Sequence, residues 1–194
     1  MKGVDEDSLE YRNVFESNLI YLGTFGLQDP IRKEVKGQIN TMMYGEEDPQ
    51  LLGDVNDPKP HVIVKMVTGD HLSTATKIAI DAGIIVPSDD INMDDVAMTG
   101  EQFREKIGLF EVYTDENNGM ECIRFENEKA FKKINKKVRV IARASPIDKF
   151  ILIRGIQQES GLIGMAGDSI ADAVALKTAN VGFCMGTGLS LIHI

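Results

Sequence analysis

His61-Val62-Ile63-Val64-Lys65-Met66-Val67-Thr68-Gly69-Asp70 begins as a run rich in β-branched residues and ends on a glycine turn. A short apolar run bounded by turn residues fits a buried strand, expected here over 61–67. Just beyond it, Leu72, Ala75, Ile78, Ala79 and Ala82 recur at helical spacing, and Gly83 is placed to end the helix. A strand that feeds a helix through a tight turn is the repeating unit of a parallel sheet. Towards the C-terminus the alternation recurs. Strands are expected at 96–98, 138–142, 162–166 and 181–185, and helices from Glu101, over 128–135, from Pro146 and over 171–178. Thr99-Gly100-Glu101-Gln102 reads as a capping box. Ser145 reads as an N-cap, with Pro146 at the first helical position. Ile147, Phe150, Ile151 and Ile156 would give that last helix its apolar face. Towards the N-terminus, 19–27 reads as extended up to Asp29-Pro30, and a helix is expected over 31–43. Residues 44–60 and 111–127 are expected to be loops or insertions, with a hairpin as the alternative for 111–125. The pattern predicts an α/β fold with a largely parallel sheet.

Composition narrows the functions open to such a fold. The chain has 194 residues, 43% hydrophobic and 26% charged, as in an ordinary globular protein. A formal net charge of -9 argues against a duplex nucleic-acid binder, which needs a basic footprint. It leaves room for phosphate ligands, because a few cations and backbone donors suffice. The two cysteines, Cys122 and Cys184, cannot build a multi-bridge framework and suit a reducing compartment. No apolar run reaches membrane-spanning length. The chain therefore reads as soluble and cytosolic.

In parallel sheets, functional groups gather in loops after the carboxyl ends of strands, and three such loops stand out. Thr68-Gly69-Asp70 offers a hydroxyl, a glycine that permits close backbone approach, and a helix N-terminus that favours anions. Its plain alternative is a turn with Asp70 as N-cap. Ser145-Pro146-Ile147-Asp148-Lys149 places a cation in the first turn of a helix, against the macrodipole. That makes sense if Lys149 faces an anion such as a phosphoryl group; the alternative is a solvated lysine paired with Asp148. Gly167-Asp168-Ser169-Ile170-Ala171-Asp172 puts Asp168 just past a strand, where a carboxylate could hold magnesium. Asp172 lies one turn on and could support that ion, or the two aspartates could serve as N-cap and dipole partner. Together the loops hold the parts that phosphoryl transfer needs, apart from a nucleophile.

These motifs resemble the last three of the haloacid-dehalogenase superfamily, and the surrounding residues are similar to P-type cation-transporting ATPases. Asp29-Pro30-Ile31-Arg32 resembles the hinge before the phosphorylation domain, and 66–70 followed by Thr74-Ala75 resembles the stretch MVTGD…TA. Residues 98–104 are similar to TGxxFR, 140–149 (VIARASPIDK) to VxARxSPxDK, and 175–185 (ALKTANVGFCM) to ALKKADVGxAM. AGIIVP at 82–87 and the match over 138–149 look most like plasma-membrane-type calcium pumps. The resemblance covers about 19–188. It implies a Rossmann-like, incomplete phosphorylation domain, with 1–18 as the end of a nucleotide-binding domain or hinge. It also implies that Thr68 and Lys149 contact the phosphoryl group, with Gly69, Asp70, Gly167 and Arg32 near phosphate or nucleotide. Asp168 and Asp172 would serve magnesium, and Asp29 and Pro30 the hinge. ATP would be the substrate, calcium the transported cation, and the parent's nucleotide, actuator and membrane domains the partners, at the cytosolic face of a membrane.

The departures are as specific. Where the family reads TGDGxNDxPAL, this chain has Ala166, Ala171 and Val174, which remove a hydroxyl, a phosphate-holding amide and a rigid proline. The resemblance places the phosphorylated aspartate upstream, and no Asp-Lys-Thr-Gly-Thr segment occurs, so the chain by itself is expected to be inactive. A free-standing, catalytically dead magnesium- and phosphate-binding module is the alternative. Residues 189–194 (LSLIHI) leave the pattern. They back-translate to a string resembling a transposon end used in library preparation, so they are expected to be non-native.

Overall fold

In a computed structural model the described residues are 17–26, 30–45, 62–86, 93–116, 119–159 and 161–184. The chain divides into two compact units, 1–30 and 31–194. In the first, the described residues 17–26 run without strand pairing, and Leu19, Ile20, Tyr21, Leu22 and Phe25 are exposed. Asp29, the expected hinge residue, lies outside the described residues, as do 46–60 of the expected loop and the whole of the expected tail, 189–194.

The second unit is α/β with mostly parallel strands flanked by helices. Helix α1 (Val35–Tyr44) starts later than the sequence predicted. Then come β1 (Met66–Val67), α2 (Leu72–Asp81), a single turn α3 (Met93–Val96), β2 (Ala97–Thr99) and α4 (Gly100–Ile107). The hairpin β3 (Phe110–Thr114) and β4 (Glu121–Phe125) follows, then α5 (Glu128–Lys137), β5 (Val140–Ala142) and α6 (Pro146–Gln158). The chain continues through β6 (Gly164–Gly167), a 3-10 turn (Ile170–Asp172), α7 (Ala173–Thr178) and β7 (Val181–Cys184). β5 lies between β1 and β2, parallel to both, and β6 pairs parallel with β7. β3 and β4 pair antiparallel, so 111–125 takes the hairpin alternative.

Burial follows the pleat. Val140 and Ala142 face Ala75, Ala79, Ala82 and Ala97, while Ile141 faces a cluster with Met98, Phe103, Phe131 and Ile151. Successive residues of a strand point to opposite faces, so three residues seed two cores. The α2 face is built of alanines, which let that helix lie close to the sheet. The other core is bulky, and burying each large apolar side chain contributes about 1.5–3 kcal/mol.

Two expectations are corrected by packing. Among the described residues of the strand expected over 61–67, pairing is confined to Met66–Val67, because the one described neighbour of β1 is β5, only three residues long. Ile147 is exposed, whereas Leu152 and Ile153 are buried, because α6 is covered on more than one face. Lys65, just before β1, donates to the carbonyls of Asn135 and Val138 at 2.5 and 2.8 Å, near the end of α5. Burial, helped by repulsion from Arg139 and opposed by Glu159, brings its pKa down to about 7.

Two outcomes follow from this packing. A Cβ at Gly155 would lie 2.2 Å from Cζ of the Phe131 ring. Gly155→Ala should therefore lower the urea midpoint, by about 1–3 kcal/mol in stability. Between about pH 7 and the ordinary lysine value the unfolded chain holds a proton at Lys65 that the folded chain lacks, so stability rises with pH. Unfolding midpoints across that window should rise in the wild type and rise less in Lys65→Met.

Candidate functional site

Parallel pairing brings the carboxyl ends of β1 and β5 side by side, and their loops are stitched together. The Thr68 amide donates to the Ile141 carbonyl at 2.9 Å, and the Ala144 amide donates to the Thr68 carbonyl at 2.9 Å. The Arg143 amide reaches the Asp70 carbonyl at 3.0 Å. The Thr68 hydroxyl oxygen accepts from the Asp70 amide at 3.1 Å, which leaves its own O–H free to donate elsewhere. Asp70 is not the N-cap. His71 holds that position, and its Nδ1 accepts from the Ser73 amide at 3.4 Å. Gly69 is exposed, and a Cβ there would meet nothing within 4 Å.

Lys149 is buried in the first turn of α6 and pairs with Asp172. The expected alternative, a solvated lysine paired with Asp148, is overturned on both counts. Asp148 is itself fully buried and turned the other way, towards Arg104 at 2.5 Å. Neighbours in a helix point about 100° apart, so consecutive charged residues serve different partners.

The loop after β6 is organised around Asp172. One carboxylate oxygen meets the Lys149 ammonium, and the other accepts from the Ser169 hydroxyl at 2.6 Å and amide at 3.3 Å. Burial by itself would raise this carboxyl. The hydrogen bonds from Lys149 and Ser169 and the Lys149 charge outweigh it, so its pKa falls below the ordinary aspartate value. Gly167 has a local reason to be glycine, since a Cβ there would lie 2.7 Å from the Asp172 Cβ. Asp168 is exposed at the mouth of the same loop, and Ala171 is exposed beside it. Among the described residues no cluster of three or more His, Cys, Asp or Glu gathers as a ready metal cage.

Lys149 and Asp172 are thus brought together, with Asp168 four residues away. Among the described residues the Thr68 loop bonds to the β5 loop and not to Lys149 or Asp172. Between β1 and β6 lies a groove of about 570 Å³, lined by Val67, Lys149, Leu152, Ile153, Ile163 and Met165 among others. Arg32 and Pro30 are exposed. Sequence reasoning passed over Arg143, which stands at φ 49° directly beside the Thr68 loop. A non-glycine residue in the left-handed region costs of order 1–3 kcal/mol and marks a functional site more often than chance. No periodic pattern signals such a position.

Comparison with known proteins gives the context. The chain is 31% identical over 181 residues to "Putative calcium-transporting ATPase 13, plasma membrane-type" of Arabidopsis thaliana, covering 93% of this chain and 14% of the relative. It is 35% identical over 185 residues to "Calcium-transporting ATPase 2" of Schizosaccharomyces pombe, covering 94% of this chain and 11% of the relative. By sequence, the chain is related over 93–94% of its length to a stretch of calcium-transporting ATPases. "Plasma membrane calcium-transporting ATPase 3" of Rattus norvegicus matches at 30% over 188 residues, 94% of this chain and 12% of the relative. The chain spans 11–14% of the length of these relatives. No family model matches it. Among the described residues no helix is long and apolar enough to cross a membrane.

The buried pair sets a clear expectation. Asp172→Ala would leave the Lys149 ammonium buried without its counterion, and breaking such a pair costs about 3–5 kcal/mol. Thermal melts should show the loss at neutral pH. The Asp172 pKa is depressed in the fold. Its contribution is therefore full above the ordinary aspartate pKa and disappears as pH falls through the lower folded value. Below that, wild type and Asp172→Asn should converge in stability.

Proposed function

We propose that this chain is the phosphate-gripping and magnesium-holding part of the phosphorylation domain of an ATP-driven calcium pump. The observation that carries the reading is the buried Lys149–Asp172 pair at the carboxyl end of β6, with the exposed Asp168 carboxylate beside it. A lysine held inside a helix's first turn stands against the dipole, a cost that an added phosphoryl anion would offset. Thr68 would donate its free O–H to the phosphoryl oxygens, and Lys149 would shift from Asp172 to that added charge.

The donor set fits magnesium. The ion takes one or two carboxylates plus substrate phosphates and water. Asp168 is exposed, while both oxygens of Asp172 already hold partners, so Asp168 would be the direct ligand and Asp172 the support. Bound there, magnesium would neutralise charge on the transferring group.

The groove between β1 and β6 supports the need for a further segment. Among the described residues β1 pairs only with β5 and β6 only with β7, and the groove's walls are largely apolar. A strand bearing the missing nucleophilic carboxylate would fill it, supplied by the parent chain.

A second reading keeps the binding and drops the turnover. Ala171 gives this loop a methyl group where the resembled pumps carry an amide, so a charge-stabilising contact is absent. One experiment separates the two. The intact parent, given radiolabelled ATP, should form an acid-stable, hydroxylamine-sensitive phosphoenzyme, and Lys149→Ala should slow its formation at least tenfold. A parent that binds magnesium and ATP but forms no phosphoenzyme is the dead module.

A further inference from the structure

We propose that Arg104 and Asp148 form a latch that aims Lys149, making them positioning residues for the phosphoryl site. The proposal deepens the pump reading and rests on it for its functional half. Asp148 is among the fully buried residues of the unit, yet it carries a carboxylate and has no assigned part in holding phosphate or magnesium. One carboxylate oxygen accepts from Arg104 Nη1 at 2.5 Å. The other accepts from the Ser145 amide at 2.8 Å and the Ser145 hydroxyl at 2.7 Å. A fully buried carboxylate held on both oxygens has little freedom, and the helix start that bears it is fixed with it.

The helix opposite is shaped to receive this carboxylate. Gly100 opens α4, and a Cβ there would lie 2.4 Å from Asp148 Oδ2 and 3.2 Å from the Arg143 carbonyl. Four residues on, one turn along the same face, Arg104 delivers its guanidinium. The Thr99–Gln102 capping box, with bonds of 2.9 and 3.2 Å, fixes where α4 begins. Thus α4 presents a hole and a cation at one-turn spacing, and Asp148 fits both.

The consequence falls on the next residue. With Asp148 pinned towards α4, the helical rotation turns Lys149 away from α4 and into the loop after β6, where it meets Asp172. Asp172 is held by Ser169 in the same manner as Asp148 is held by Ser145, a serine three residues earlier closing on the carboxylate. Two Ser-x-x-Asp turns are therefore linked in series: Arg104 holds the first, and Lys149 leaves the first turn to hold the second. Positioning at this level matters for phosphoryl transfer, because a displacement of about 1 Å can cost up to about 100-fold in rate.

The test reads the aim of Lys149 and its use separately. In the 194-residue chain at about pH 6, below the Lys65 pKa of about 7, the side-chain ammonium resonances of Lys149 and Lys65 are followed by NMR and assigned by Lys149→Arg and Lys65→Arg. Arg104→Ala should shift or broaden the Lys149 signal and leave Lys65 in place, and Arg104→Lys should restore most of it. Loss of both signals, or no change in either, overturns the latch. In the intact pump, Arg104→Ala should slow phosphoenzyme formation at saturating ATP about tenfold with little change in the ATP concentration for half-maximal rate. In a Lys149→Ala background the same change should add less than twofold. An undiminished tenfold loss there would mean that Arg104 acts otherwise than through Lys149, and the proposal falls. If the wild-type pump forms no phosphoenzyme, the pump reading fails by itself, while the NMR result still decides the latch.

Discussion

The second unit depends on a three-residue strand. Val140, Ile141 and Ala142 form β5, the strand with a partner on both sides, and all three are buried. A strand paired on both edges must satisfy its backbone groups there and bury both faces of its side chains. That double demand fixes Met66 and Ala97 as the register partners of Val140 and sends Ile141 into one core and its neighbours into the other. It also puts the turns after β1 and β5 at the same end, where backbone hydrogen bonds join them. Arg143 takes its left-handed conformation at the exit of this strand, as the chain turns from sheet to α6.

From that exit the polar architecture runs outward through α6. A helix whose first turn holds two buried charges, Asp148 and Lys149, would be unstable if either lacked a partner. The fold answers with partners on opposite sides, Arg104 from α4 and Asp172 from the loop after β6. The ion pairs contribute less net stability than their geometry suggests, because both charges must be desolvated. Their larger effect is to fix which way each side chain points. At the proposed phosphoryl site, direction matters more than stability.

Much of this was legible in the sequence. Period-2 and period-3.6 patterns located most strands and helices, and the Thr99 and Ser145 helix starts stood out because capping is local chemistry. Ladder lengths were less legible. Whether residues 61–65 belong to a strand depends on a neighbour, and neighbours lie far away in sequence. The fate of 111–125 was open for the same reason: Asn118-Gly119 is a turn signal, but the pairing of Phe110 with Phe125 is what defines the hairpin. The exposure of Ile147 and the burial of Ile153 also escaped, because helical periodicity finds one apolar face and α6 is covered on more than one.

The candidate site divides along the same line. The sequence by itself determined its inventory: a threonine, a lysine and two aspartates, each just past a strand or in the first turn of a helix, in an order that points to the calcium-transporting ATPases. It also determined the departures at Ala166, Ala171 and Val174. Only the tertiary structure decided the partners. It turned Lys149 from Asp148 to Asp172, gave Asp148 to Arg104, made His71 the cap in place of Asp70, and gave Gly167 a steric reason in Asp172. Residue type and spacing are properties of one segment. Pairing of buried charges depends on which segments meet, and here those lie from 23 to 44 residues apart in the chain.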